Sequence, residues 1–124
     1  NLHSFAVIVS NHAGEDLVRF DAPIGAREEH FFRQAASSVN FDLGSDVIDF
    51  LHGFANYQIE HHLLPELTMR QYQKAQPRVE ALCQKYGIPY TRESVWKRLP
   101  KAVDIMIGAA TMKRQPPDKK LRAD

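Results

Sequence analysis

Three side chains in the middle of the chain stand at a spacing that suits metal chemistry: Gln58, His61 and His62, within Gln58-Ile59-Glu60-His61-His62. On a helix, positions i, i+3 and i+4 share a face, so one amide and two imidazoles converge. Each imidazole has two nitrogens to satisfy, and protonating both rings would set like charges side by side. A metal ion resolves both problems, because neutral imidazole is a favoured ligand. Spacing alone also allows a bland reading, since adjacent histidines occur on exposed helix faces without any function. The zinc-protease patterns are excluded. No H-E-x-x-H is present, and Tyr57 stands where the inverted H-x-x-E-H pattern needs its first histidine. Two histidines do not complete a site, so further ligands must come from elsewhere.

The element expected to carry these residues is a helix over Ser45–Leu64. Ser45 is its cap, Asp46 and Asp49 sit in the first turns, and Pro65 stops it. Val47, Leu51, Phe54, Ala55, Gln58, His61 and His62 would share one face, with Asp49, Asn56 and Glu60 opposite. Glu60 therefore reads as a surface or helix-stabilising charge rather than a bridging carboxylate. Upstream, residues 10–30 read as loop, residues 28–38 as a short helix and Asn40–Gly44 as a turn. Leu2–Val9 has two readings, the end of a membrane helix or a short buried strand.

Downstream, Thr68 and Gln71 form a capping-box pattern. It opens a helix whose stripe is Met69, Tyr72, Ala75, Val79, Leu82 and Tyr86, kinked or split at Pro77 and stopped by Gly87 and Pro89. A third helix is expected over 93–111, with Val95, Leu99, Val103, Met106 and Ala110 on one side and Pro100 in its middle. The charged tail 113–124, with Pro116 and Pro117, reads as disordered. The fold class is mainly α, built from amphipathic helices and loops that are incomplete as a domain.

Composition narrows the function classes. The chain has 124 residues, a net charge of +1, 44% apolar and 25% charged residues, with mean hydropathy −0.41. Near-neutral charge gives no argument for nucleic acid as a partner. No run approaches the roughly 18–20 apolar residues that cross a bilayer. The single cysteine, Cys83, lies in an apolar helical pattern and reads as a buried structural thiol. His52 reads as exposed and His30 as a loop or surface contact, while His3 is a minor candidate for the site. Trp96 and the Phe31–Phe32 pair read as packing or interfacial anchors. Lys113, Arg114, Lys119, Lys120 and Arg122 suit an anionic membrane surface or a solvated tail equally.

Asn56-Tyr57-Gln58-Ile59-Glu60-His61-His62-Leu63-Leu64-Pro65 closely resembles the third histidine box, (His or Gln)-x-x-His-His, of the membrane fatty-acid desaturases. The flanks resemble that family too, in Asn11-His12-Ala13-Gly14, Gln76-Pro77-x-Val79 and Leu82-Cys83-x-Lys85-Tyr86-Gly87-Ile88-Pro89-Tyr90. The resemblance covers about residues 3–112, and it implies that residues 1–112 are the C-terminal part of a desaturase domain, with 113–124 as tail. It implies a di-iron centre of two iron ions ligated by histidines from three boxes, of which this chain would supply His61 and His62. His12 matches an additional ligand position, and Gln58 would ligate or hold a ligand by a hydrogen bond.

The reaction implied is insertion of a cis double bond into an acyl chain of a lipid or thioester, front-end-like in its glutamine box. O2 serves as co-substrate, and cytochrome b5 or ferredoxin supplies electrons. The resemblance also implies an integral membrane protein with this segment on the cytoplasmic side, and a piece inactive by itself. The alternatives are a related lipid hydroxylase or ketolase, and a non-enzymatic helical domain that binds metal or a membrane.

Overall fold

The computed structural model describes residues 2–42, 46–53 and 55–115, with the side chain of His3 left out. Ser45, Gly44, Phe54, the His3 side chain and the tail from Pro116 onward therefore lie outside the described residues. Within them the chain is mainly helical, as expected, with six α-helices and four three-residue strands.

Helix α1 (Leu2–Val9) settles the first ambiguity in favour of helix. Among the described residues, no helix is long and apolar enough to cross a membrane. Strand β1 (Val18–Phe20) crosses the segment expected to be all loop, and α2 (Arg27–Ala36) matches the short helix expected there. Strand β2 (Val39–Phe41) replaces the expected turn. Its three residues are buried and pair in parallel with β3 (Thr91–Glu93), Asn40 opposite Arg92. A three-residue strand leaves no readable alternation, and parallel pairing to a segment fifty residues away is invisible to local pattern.

The single helix expected over Ser45–Leu64 is broken. Helix α3 (Asp46–Leu51) ends in a turn at His52 and Gly53, where Gly53 has φ +59°. A 3-10 turn (Ala55–Tyr57) then leads into α4 (Gln58–Leu63). The shared face drawn across that span does not exist. Val47, Phe50 and Leu51 are exposed, whereas Asp49, assigned to the polar side, is 2% exposed. Asp49 accepts hydrogen bonds from Asn56, from the Tyr57 hydroxyl at 2.8 Å and from Gln73 at 2.6 Å. A buried carboxylate must find donors, and these draw α3, the 3-10 turn and the helix that carries Gln73 (α5, Met69–Lys85) together.

Helix α5 (Met69–Lys85) opens with the Thr68 N–H donating to Gln71 at 2.7 Å and runs unbroken through the exposed Pro77. Its buried residues are Tyr72, Gln76, Val79 and Cys83, so Met69, Leu82 and Tyr86 from the expected stripe face outward. It closes at Gly87 (φ +64°), with Ile88 N–H on the Cys83 carbonyl at 2.8 Å and Gly87 N–H on that of Gln84 at 3.3 Å. Helix α6 (Val95–Met106) tolerates Pro100 and is shorter than expected, because Glu93 belongs to β3 and Gly108 (φ +76°) turns the chain. Strand β4 (Lys113–Gln115) pairs in parallel with β1, so these three residues of the expected tail are ordered.

One buried apolar cluster joins Ala35, Ile59, Val79 and Cys83, with Leu63, Ile88 and Tyr90 packed on it, and Leu17, Val39, Phe41, Tyr57, Tyr72 and Ala102 are among the other buried apolar residues. Beside it runs a buried polar network. Asn40, wholly buried, accepts from the Ile59 N–H at 2.8 Å and donates to Glu60 at 2.7 Å and to the Tyr90 hydroxyl at 2.7 Å. Tyr90 in turn donates to Glu60 at 2.7 Å. Glu60 is 0% exposed, which corrects its reading as a surface charge. Burial raises its pKa, against the opposing hydrogen bonds of Tyr90 and Asn40.

A second polar cluster sits at α6. The Arg98 guanidinium, 0% exposed, donates to both oxygens of Asp16 at 2.7 and 2.6 Å, and Lys101 reaches Asp16 at 3.2 Å and Glu93 at 2.9 Å. Desolvation raises the Asp16 pKa, but Arg98 and Lys101 outweigh it and leave the carboxyl below its ordinary value.

Two outcomes test this packing. Asn40→Ala removes the donor to Glu60 Oε2 and the acceptor of the Ile59 N–H, and should lower the unfolding free energy of the intact protein by about 2–4 kcal/mol, measured by denaturant or thermal unfolding. Asp16 is harder to protonate in the folded than in the unfolded chain. Its contribution is therefore present above the unfolded carboxylate pKa and fades as pH falls through the folded one. Asp16→Asn should flatten the acid side of the stability profile, with little change in slope near neutrality.

Candidate metal centre

Helix α4 presents Gln58 and His62 one turn apart, and the loop after α1 brings His12 to meet them. The Gln58 Nε2 lies 3.2 Å from His12 Nε2 and 2.9 Å from His62 Nε2. Asn11 fixes which way the amide points: its Nδ2 donates to the Gln58 Oε1 at 3.4 Å and to the Ala55 carbonyl at 3.0 Å. The Gln58 amide nitrogen then donates to both rings, so both Nε2 atoms act as acceptors, as in neutral imidazoles. The two rings meet edge to face, 5.1 Å between centroids.

Electrostatics favour the same protonation state. Burial, then the neighbouring His12 and His61 rings, push the His62 pKa down to about 4. Burial lowers that of His12 as well, against a hydrogen bond to the Ser37 backbone. Two lone pairs on unprotonated nitrogens thus converge on one point, which an N–H donor fills here.

His61 departs from the expected convergence. Its ring is exposed and its Nδ1 lies 3.1 Å from the Tyr72 hydroxyl, which donates to the Leu64 carbonyl at 3.2 Å. Its ring centroid is 5.8 Å from that of His62. The structure thus joins Gln58, His62 and His12 directly and places His61 at the edge, held by α5. An open cleft of about 370 Å³, lined by His12, Val18, Phe20, Ile24, Arg33 and Met112 among others, reaches His12 from the α2 side.

Among the described residues, no group of three or more His, Cys, Asp or Glu stands close enough to hold a metal ion. The donors present fit part of a histidine-rich site. Two neutral nitrogens face one point, and next to them Asn11 Oδ1 is a buried acceptor with no partner among the described residues.

The remaining histidines stay apart. His52, expected to be exposed, is half-buried against Phe41 at 5.8 Å, because the break after α3 turns it inward. His30 packs beside Phe31. Trp96 is 80% exposed and packs in no described core. Asn11 and Tyr72 were missed as partners of the site. Asn11 adjoins His12 within the quoted Asn-His-x-Gly segment, which was the one available signal, whereas Tyr72 read simply as an apolar-stripe residue.

The model of the family described as "Fatty acid desaturase" matches residues 2–94. This chain belongs to the fatty acid desaturase family. It is 32% identical over 111 residues to an NADPH-dependent stearoyl-CoA 9-desaturase of Mycobacterium tuberculosis, covering 82% of this chain and 26% of that protein. It is 36% identical over 93 residues to a Delta 8-(E)-sphingolipid desaturase of Lachancea kluyveri, 72% of this chain and 16% of that protein. It is 33% identical over 99 residues to Delta(8)-fatty-acid desaturase 1 of Arabidopsis thaliana, 75% of this chain and 21% of that protein. The chain therefore spans about a quarter or less of these desaturases. No solved structure gives a significant match.

The exposed position of His61 makes its role separable from folding. His61→Ala should change the unfolding free energy of the intact protein by less than about 0.5 kcal/mol. Tyr72→Phe, which removes the donor to the Leu64 carbonyl, should cost about 1 kcal/mol. Denaturant unfolding of the two variants checks the contrast.

Proposed function

We propose that this chain is the part of a fatty-acid desaturase that supplies His62, His61 and His12 to a di-iron centre, with Gln58 as ligand or as the amide that orients the rings. The observation that carries the reading is the convergence of His12 and His62 Nε2 on one point, from segments 46 residues apart in sequence for His12 and Gln58. Membership of the desaturase family supports it. The remaining ligands would come from parts of the protein outside this chain, a reading supported by the 26% and 16% of those two relatives that the chain covers.

When bound, the iron pair would, with O2, two electrons and two protons, supply the oxidising power to take two hydrogens from adjacent carbons of an acyl chain, giving an alkene and two waters. The work of this chain is positional. Burial keeps His62 and His12 unprotonated, so their nitrogens remain available to a cation. Asn11 holds the Gln58 amide, and Tyr72 holds His61.

The substrate is an acyl lipid or acyl thioester, since the relatives are named for stearoyl-CoA, sphingolipid and fatty-acid desaturation. The exposed apolar residues Leu2, Phe5 and Ile8 on α1 and Val103, Met106 and Ile107 at α6 support a place against the membrane part of the whole enzyme. Electrons come from a cytochrome b5 or ferredoxin partner.

In cells expressing the intact protein, His61→Ala and His62→Ala should each abolish the new double bond in extracted fatty acids. Gln58→Leu should lower it about ten- to a hundredfold, and Gln58→His should retain it, since histidine is the family's alternative at that place. Unchanged unsaturation in the double His61→Ala, His62→Ala variant, or a hydroxylated product from the parent protein, would overturn the reading.

A further inference from the structure

We propose that Arg98 is a positioning residue for the metal site, holding His12 in place from the far end of the chain. The proposal rests on the reading of His12 as an iron ligand. His12 lies on a short loop between α1 and β1, and Arg98 grips that loop on both sides of it. Its Nε donates to the Ser10 carbonyl at 3.3 Å and its Nη2 to the Ala13 carbonyl at 3.0 Å. Its Nη1 holds both oxygens of Asp16, where the loop runs into β1. The guanidinium is fully buried. It therefore depends on these acceptors, and the loop carbonyls depend on it.

The fit leaves little slack. A Cβ at Gly14 would stand 2.5 Å from Arg98 Nη2 and 2.6 Å from Asp16 Oδ1. The glycine of the Asn-His-x-Gly segment is thus explained by the arginine that passes over it. Between the gripped carbonyls, Asn11 is fixed independently, with Val39 N–H on its carbonyl at 3.2 Å and its side chain on Ala55. His12 is the residue between the two anchorages, and its ring is delivered to Gln58 and His62. Lysine cannot replace this arrangement, because a point ammonium lacks the planar fork that serves two carbonyls and a carboxylate together.

The test uses the intact protein, stripped of metal and titrated with Fe(II), with folded monodisperse protein quantified in parallel. Arg98→Lys should raise the Fe(II) concentration for half-loading about tenfold. Asp16→Asn, which preserves size and the carbonyl contacts, should shift it in the same direction by less, and it serves where Arg98→Lys does not fold. In a His12→Ala background, adding either substitution should leave iron affinity unchanged, because Arg98 acts through His12. Failure of the wild-type protein to bind iron would overturn the proposed function itself. Equal affinity of wild type and both variants, or equal weakening with and without His12, would overturn only the positioning role.

Discussion

Helix α4 is six residues long, too short to hold itself together, and the site stands on it. What fixes it is the Asn40 side chain. Its Oδ1 takes the N–H of Ile59, one of the first-turn donors that a helix leaves unpaired, and its Nδ2 meets the carboxylate of the next residue. A strand three residues long thus caps a helix that follows nearly twenty positions later. Because Ile59 and Glu60 are both held, Gln58 and His62 have one available direction, and it is toward His12.

Two such polar networks, around Asn40 and around Arg98, perform the alignment that a larger protein leaves to apolar packing. The buried apolar cluster under α4 holds only Ala35, Ile59, Val79 and Cys83 with their partly buried neighbours, and so small a cluster imposes little geometry alone. Hydrogen bonds are directional, so buried networks with their partners in place define one arrangement rather than a family of them. The apolar side chains that might have built a larger core lie instead on the outside of α1, α3 and α6.

The meeting of Gln58 with His62 and His12 was easier to read from the sequence than the path of the chain around it. Gln58, His62 and His12 were legible because a helical period and an ordered set of neighbouring motifs both pointed to them. The limits of α5 were legible because Thr68–Gln71 and Gly87 are local signals. The break between α3 and α4 was not, since the apolar period runs on across Gly53, and the turn at that glycine is held by the donors that buried Asp49 gathers. Glu60 misled for a related reason. Its place on an ideal helix wheel pointed outward, but Asn40 and Tyr90, both distant in sequence, cover that side. Arg98 gave no signal at all, because the loop that it grips is defined only in three dimensions.

The contact between Arg98 and the Ser10 carbonyl joins residues 88 apart, and this has a consequence for biosynthesis. A ribosome releases the His12 loop, and its partners Val39 and Ala55, long before it makes Arg98. Long-range closures of this kind come late in folding. The second anchorage of the loop therefore closes only after translation has passed α6, so the N-terminal segment takes its final form from the end of the chain rather than from its own neighbours.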